Sequence, residues 1–478
     1  MRRQDAATRI VRPLRLWLPA LALAAGLAPI HPGPVLAEEA PEDAAVRLSL
    51  EQAVSLAERN NETLLIAQED EKRAAGAVRE AQSGALPSLT LAGVYQANFD
   101  KPVFFISSDS VTTQLEIGGD LEVQGQLRLD QVLYAFGRVG NAVKYAGIYR
   151  DIASLGVDDA RSRVVYAAKE AYYRVLLAGA VADIQRQSLR QAQSHLAVVE
   201  QKHAQGTASR FDLLRAQVEA KNREPGVIEA ENGLALSVED LKRVVGLESA
   251  AGIVLTDTLA YAPLEIDEET AIAEALANRP AILSLELNVE GKRRLLAIEK
   301  AGMYPILGLY GEVNFQGSAD DDDYLGPFDE DNQAFSKSAG VALSIPIFDG
   351  FKTSGRVTQA RASLKQSEYQ LQEARKAVRL AVSKAVRDQA SLRKEYESQV
   401  ATVGLAEEAF RIAETRFSSG ISTQLELTDA ETALDFARTN FAQTLYGCSV
   451  AVANLERELG RTSRGLNTTL QDTTLQER

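Results

Sequence analysis

The chain repeats itself, and this restricts its fold more than any other feature. Gln-Leu-Arg-Leu-Asp-Gln-Val-Leu-Tyr at 126–134 is answered 214 residues later by Gly-Val-Ala-Leu-Ser-Ile-Pro-Ile-Phe at 340–348. The stretch that opens with Gly206 is answered at the same offset by the one that opens with Gly420. Residues 241–246, ending in Gly246, are answered by residues 455–460, ending in Gly460. One constant offset means a duplicated unit, and each copy holds two alternating strands and very long helical stretches. That points to a tube that crosses a membrane as a barrel and continues as a helical conduit.

The duplication excludes the ends. Five arginines, Arg2, Arg3, Arg9, Arg12 and Arg15, precede and border an apolar run at 14–30, and Val35-Leu36-Ala37 offers small residues to a signal peptidase. Residues 1–37 are expected to be a secretory signal peptide. The run is short for a membrane anchor, and Pro19 and Pro29 break it. The chain carries a net charge of −14, and losing the basic leader takes it to −18. Nucleic-acid binding is therefore not expected. Cys448 is the single cysteine, so a disulfide within the chain is excluded, and a small buried apolar role is expected. No other stretch is apolar for the roughly 18 residues of a spanning helix. If the chain crosses a membrane, it does so with strands.

Four segments alternate with period two, at about 87–99, 120–131, 305–317 and 338–347. In the second, Leu121, Val123, Gly125, Leu127 and Leu129 share one face, and Glu122, Gln124, Gln126, Arg128 and Asp130 share the other. The fourth places Val341, Leu343, Ile345 and Ile347 on one face. Runs of about 10 residues with a charged opposite face suit lipid on one side and a wet lumen on the other. Four strands cannot close alone, and an open edge is not tolerated in lipid. Several chains must contribute, and three would give twelve strands. The loops at 99–119 and 318–337 are polar, the latter with Asp320-Asp-Asp-Asp, and are expected at the extracellular rim as solvated loops.

Between the strand pairs, proline is nearly absent: none from Tyr134 to Pro225, and none after Pro346. Helices over 138–205 and 350–419 are expected, each on the order of 100 Å long. Gly206 and Gly420 mark the reversals. Return helices at about 207–247 and 421–460 are shorter, and helices at 62–86 and 281–304 make up the deficit. Each long helix then lies beside two short ones stacked end to end. Val357, Leu364, Leu371 and Val378 recur every seven residues, as do Tyr396, Val403, Phe410 and Phe417, with a stutter between the two series. These are packing residues. Pro225-Gly226 is expected to interrupt and kink the first return helix. The domain plan is then a first repeat over 38–247, a linker forming part of a belt over 248–280, a second repeat over 281–460, and a polar tail over 461–478.

The order and spacing of these segments resemble the TolC family of outer-membrane efflux proteins. Residues 48–60, Leu-Ser-Leu-Glu-Gln-Ala-Val-Ser-Leu-Ala-Glu-Arg-Asn, resemble the family's opening helix. Leu-Pro-Ser-Leu at 86–89 resembles its lead into the first strand, and Ile-Pro-Ile-Phe-Asp-Gly at 345–350 its way out of the fourth. The resemblance implies a mixed α and β membrane protein. It would be a homotrimer with a twelve-stranded antiparallel barrel, four strands per chain, continuing into a long α-helical coiled-coil tunnel. The barrel would sit in the outer membrane of a Gram-negative-type bacterium, against its lipid, with the tunnel in the periplasm. The chain would serve as exit duct of a tripartite efflux pump or a type I secretion system. Its partners would be an inner-membrane transporter and a periplasmic adaptor, which the hairpin turns at Gly206 and Gly420 would contact. By the same resemblance Glu426 and Asp429 narrow the periplasmic mouth and Asp212 helps hold it closed. Phe417 and Ser422 stand where the family has the tyrosine and arginine partners of that aspartate, so Arg210, Arg215 or Arg416 is left to substitute. No cofactor, metal or catalytic residue is expected, because no nucleophile motif, phosphate loop or metal-ligand cluster occurs. The alternative is a periplasmic coiled-coil protein that bridges the membranes without a pore, which leaves the four strands unexplained.

Overall fold

The computed structural model describes residues 46–461 apart from 102, 109–110, 117, 248–251 and 321–323. The expected signal peptide, most of the C-terminal tail and three of the four consecutive aspartates lie outside the described residues.

The helices show the duplication directly. The first half contains α1 (Leu50–Asn60), α2 (Glu62–Ser83), α3 (Arg138–Ala204) and α4 (Arg210–Val245), of 11, 22, 67 and 36 residues. The second contains α5 (Glu268–Asn278), α6 (Pro280–Ala301), α7 (Lys352–Ser418) and α8 (Gln424–Leu459), again of 11, 22, 67 and 36 residues. Both α2 and α4 pack along α3, and both α6 and α8 pack along α7, as the length matching predicts. Contacts of α3 with α6 and α8 join the halves.

The strands between the helices form one antiparallel sheet. In chain order they are β2 (Ser88–Ala97), β5 (Leu121–Tyr134), β7 (Ile306–Ala319) and β8 (Gln333–Ser344), and they are neighbours in that order. A parallel pair, β1 (Val46–Leu48) with β6 (Ile253–Leu255), lies apart from it. The register puts Leu91, Leu127, Val313 and Lys337 in one row, and Leu89, Leu129, Gly311 and Ala339 in the next. Side chains that alternate along one strand therefore line up across all four. Leu89, Leu91, Leu309, Val341 and Leu343 leave most of this face exposed and apolar, with Lys337 as a charged interruption. The opposite face carries Arg128 and Glu312, 3.9 Å apart, with Ser338 donating to Glu312 at 3.0 Å.

Three details depart from expectation. The loop at 99–119 is not simply polar: β3 (Val103–Ser108) and β4 (Val111–Glu116) pair there as a hairpin, with Phe104, Phe105 and Ile106 exposed. The fourth strand begins at Gln333, where Phe335 packs on Phe315 with ring centroids 5.1 Å apart, and stops at Ser344. Pro346 has no N–H to extend the ladder, so Ile345 and Ile347 lie past the strand. Finally, α4 runs through Pro225 without interruption. Gly226 sits close against Gln185 of α3, and Arg186 binds Glu231 at 2.9 Å, so packing holds the helix where one backbone bond is missing.

Two equivalent cores mark the waist. Leu48, Ala53, Ala57, Leu64, Val164, Ala168, Leu241 and Val245 form one. Ala271, Ala275, Ile282, Val378, Val382, Leu455 and Leu459 form the other. The segment expected as a linker thus supplies α5 and β6. Tyr172, fully buried in the first core, places its hydroxyl 2.8 Å from Asp257 and 3.0 Å from the Leu48 carbonyl. Burial, then the bond to Asp257, pushes this phenol up to about 12.

Candidate functional site

The far end of the helices is built from two matched reversals. After α3, Gly206 adopts φ 75°, and the Thr207 amide returns to the Lys202 carbonyl at 2.8 Å. After α7, Gly420 adopts φ 75°, and the Ile421 amide returns to the Arg416 carbonyl at 2.9 Å. Both are glycine-terminated helix ends that satisfy carbonyls left open by the last turn.

Each return helix then starts on a hydroxyl cap. Ser209 and Asp212 form a capping box: the Asp212 carboxylate accepts from the Ser209 hydroxyl at 2.7 Å and its amide at 3.1 Å. These bonds hold the Asp212 carboxyl below the usual range. Thr423 caps α8 by accepting from the Glu426 amide at 3.3 Å. The Glu426 carboxylate accepts from Ser422 at 2.6 Å and lies 3.9 Å from Arg416. Asp429 is exposed one turn further on. Glu426 and Asp429 therefore share the tip of the second hairpin, while Asp212 belongs to the turn of the first. Arg416 stays within its own hairpin, and Arg215 acts on Asp212 through charge alone.

A polar cluster joining the hairpins lies further from the turns and was not anticipated. Arg223 of α4 donates from Nη1 to Asp435 of α8 at 2.8 Å, from Nε to Glu219 at 3.0 Å, and from Nη2 to Thr432 at 3.4 Å. Ser188 of α3 accepts from Arg223 and donates to Asp435 at 2.7 Å. One guanidinium thus ties α3, α4 and α8 together. Beside it lies Glu431, 6% exposed, whose carboxyl is pushed up to about 7, mainly by burial. His195 of α3 packs its ring 4.7 Å from that of Phe417, and Lys202 lies over the same Phe417 ring at 4.7 Å. The duplication held one signal for this cluster: Glu431 and Asp435 stand where the first copy has Gln217 and Lys221. Among the described residues no group of histidine, cysteine and carboxylate side chains is arranged to hold a metal ion.

The architecture agrees with comparison to known proteins. The family described as outer membrane efflux protein matches residues 53–247 and 271–461, most of the chain. The chain belongs to this family. An outer membrane efflux protein of this kind is similar to the alkaline protease secretion protein AprF of Pseudomonas aeruginosa, at 26% identity over 60% of this chain and 59% of AprF. It thus spans little more than half of AprF's length. It is also 23% identical to the outer membrane protein TolC of Vibrio cholerae, over 87% of this chain and 91% of that protein. Among solved structures, the CmeC outer membrane channel of Campylobacter jejuni superposes with a TM-score of 0.73 at 16% identity, covering 88% of each chain. That likeness fixes the fold.

Proposed function

We propose that this chain is the outer-membrane exit duct of a tripartite efflux pump or a type I secretion system. It would conduct substrate passively from an inner-membrane transporter and a periplasmic adaptor to the outside, with no chemistry of its own. One observation carries the reading. A four-stranded sheet, largely apolar on one face apart from Lys337 and polar and charged on the other, continues into helices of 67 residues, about 100 Å long. In one chain β2 and β8 each have a neighbour on one side only, and lipid does not tolerate open edges, which supports a homotrimer closing twelve strands.

In this reading the hairpin tips form the periplasmic mouth. Three-fold symmetry gathers six carboxylates from Glu426 and Asp429, and Asp212 fixes the turn that faces them. The turns at Gly206 and Gly420 are the surface offered to the adaptor. Exposed Phe211, Leu214, Ile421 and Leu425 beside them support this. A coiled-coil bridge without a pore has no use for a lipid-facing sheet.

Purified protein reconstituted in planar bilayers tests the reading, alongside electron microscopy of detergent-extracted particles. Discrete ion-conducting steps from three-fold tubes well over 100 Å long are expected. Rods that leave the membrane without detergent and never conduct would overturn it.

A further inference from the structure

Glu431 is buried at the seam between α3 and α8 in a way that packing alone does not explain. Its Oε1 has no hydrogen-bond partner, and the nearby Arg223 guanidinium does not donate to it. Arg223 spends its donors on Asp435, Glu219, Thr432 and Ser188. Three carboxylates therefore surround one arginine, and full ionisation leaves two uncompensated negative charges in a poorly solvated place. The burial exists within a single chain. Glu431 also lines a cavity of about 400 Å³ between α3, α7 and α8, into which water can enter.

The facing groups set the direction of any response. From α4 come Arg223 and Glu219, and from α8 itself Asp435. From α3 come Arg190 and His195, and from α7 Glu414, all on the same cavity. The contact of α5 with α8 lies at the far end, where Asn278 meets Gly460. His195 is half-buried, and its Nε2, shielded from solvent, has no partner.

We infer that Glu431 is a proton-controlled fastening between the two hairpins: protonated, it lets α8 lie closed on α3; ionised, it drives them apart. This rests on the reading of the hairpins as a closable mouth.

The sign follows from linkage. The docked seam holds the Glu431 proton up to about pH 7, whereas a released, solvated Glu431 loses it near its ordinary 4.5. Docking is thus strengthened as pH falls from above 7 towards 4.5, and weakened as pH rises through 7. His195 works the other way. Its burial, then Lys202, lowers its affinity for a proton below the ordinary 6.5, so acid below about 6.5 charges the released form and favours release. Below about 6.5 the two groups oppose each other, and between 6.5 and 7 the Glu431 response stands alone.

The test measures the seam itself. In mixed trimers containing one labelled chain, with Cys448→Ala, spin labels are attached through Ala197→Cys on α3 and Ala433→Cys on α8. In a His195→Gln background the ratio of separated to docked populations is expected to rise about tenfold from pH 6 to pH 8. Glu431→Gln, which keeps the shape and removes the charge, should flatten that response. With His195 intact the rise should be smaller. A response that survives Glu431→Gln, or a background chain with no response, overturns the proposal. Single-channel recording of the same proteins separates the two readings. A seam distance that moves with pH while conductance does not would leave the fastening standing and reject the hairpins as the gate.

Discussion

Arg223 and Asp435 meet at 2.8 Å across the seam between the two hairpins, 212 residues apart in sequence. Their side chains are 16% and 14% exposed, so neither is fully solvated if the other is removed. Arg223→Ala strands Asp435 and Glu219 together, and is expected to weaken the seam by about 3 kcal/mol. Asp435→Ala should cost less, because Glu219 still engages Arg223. The double variant should cost less than the sum of the singles, since Asp435 is no longer left without its arginine beside Glu219. Open probability in single-channel records measures this, and it should rise most in Arg223→Ala.

The mouth carboxylates differ from one another. Glu426 is held by Ser422 and faces Arg416, whereas Asp429 has no hydrogen-bond or ion-pair partner among the described residues. Six carboxylates around a three-fold axis would concentrate cations at the entrance. Block by divalent cations should weaken by about tenfold or more in Glu426→Ala/Asp429→Ala, with Asp429→Ala contributing more than Glu426→Ala. Unchanged block in a double variant that still inserts removes both residues from the mouth.

The fold was legible because it rests on periodicity. Alternation gave the faces of β2, β5 and β7, and the absence of proline gave α3 and α7 nearly to their last residues. Errors arose where local signals conflicted with packing. Pro225 suggested a break, yet contacts with α3 keep α4 continuous. The sequence at 99–119 held a hairpin whose apolar residues have no core to point at. Of the site, the glycine turns were readable, since Gly206 and Gly420 act on backbone within a few residues. The Arg223 cluster was not, because its partners come from three helices, and only the register of α3 against α4 and α8 brings them together.

Cys448 provides an internal control on burial. Its thiol is 0% exposed, and its sulfur lies 3.6 Å from the Leu392 carbonyl. Burial, with a smaller contribution from Glu395, pushes it up to about 11. At pH 8 the thiolate that reacts with alkylating agents is scarce as well as inaccessible. Labelling by a maleimide is expected only after denaturation; mass spectrometry before and after unfolding decides it.

Where strand turns into helix, both repeats need two consecutive left-handed residues, but in opposite order. Phe136 and Gly137 adopt φ 47° and 80°, while Gly350 and Phe351 adopt 66° and 65°. A phenylalanine in this region is strained by about 1–2 kcal/mol. Phe136 is compensated by rings on both sides, Tyr134 and Tyr304, each 4.9 Å away. Phe351 is 75% exposed and touches only the edge of Phe348 among the described rings. Phe351→Gly should therefore be neutral or slightly stabilising, and Phe136→Gly destabilising by about 1 kcal/mol. The heat needed to dissociate the assembly in detergent would rank them.

The repeated glycines separate into two kinds, although all four have positive φ. Gly206 and Gly420 have nothing within 4 Å of a built Cβ, so alanine there meets only the backbone preference, about 1 kcal/mol. Gly246 and Gly460 end α4 and α8 at φ 68° and 74°, directly against the ends of α1 and α5. A Cβ on Gly246 would lie 2.6 Å from Cβ of Asn60, and one on Gly460 would lie 3.0 Å from the Asn278 backbone. Room would have to come from separating stacked helices at the waist, where Leu241, Val245, Leu455 and Leu459 are buried. Gly246→Ala and Gly460→Ala should each cost about 2–4 kcal/mol, with strain and overpacking acting together. Gly206→Ala and Gly420→Ala should fold and assemble almost normally. If all four variants lose the same stability, the close approach at the waist is not what keeps Gly246 and Gly460 in the sequence.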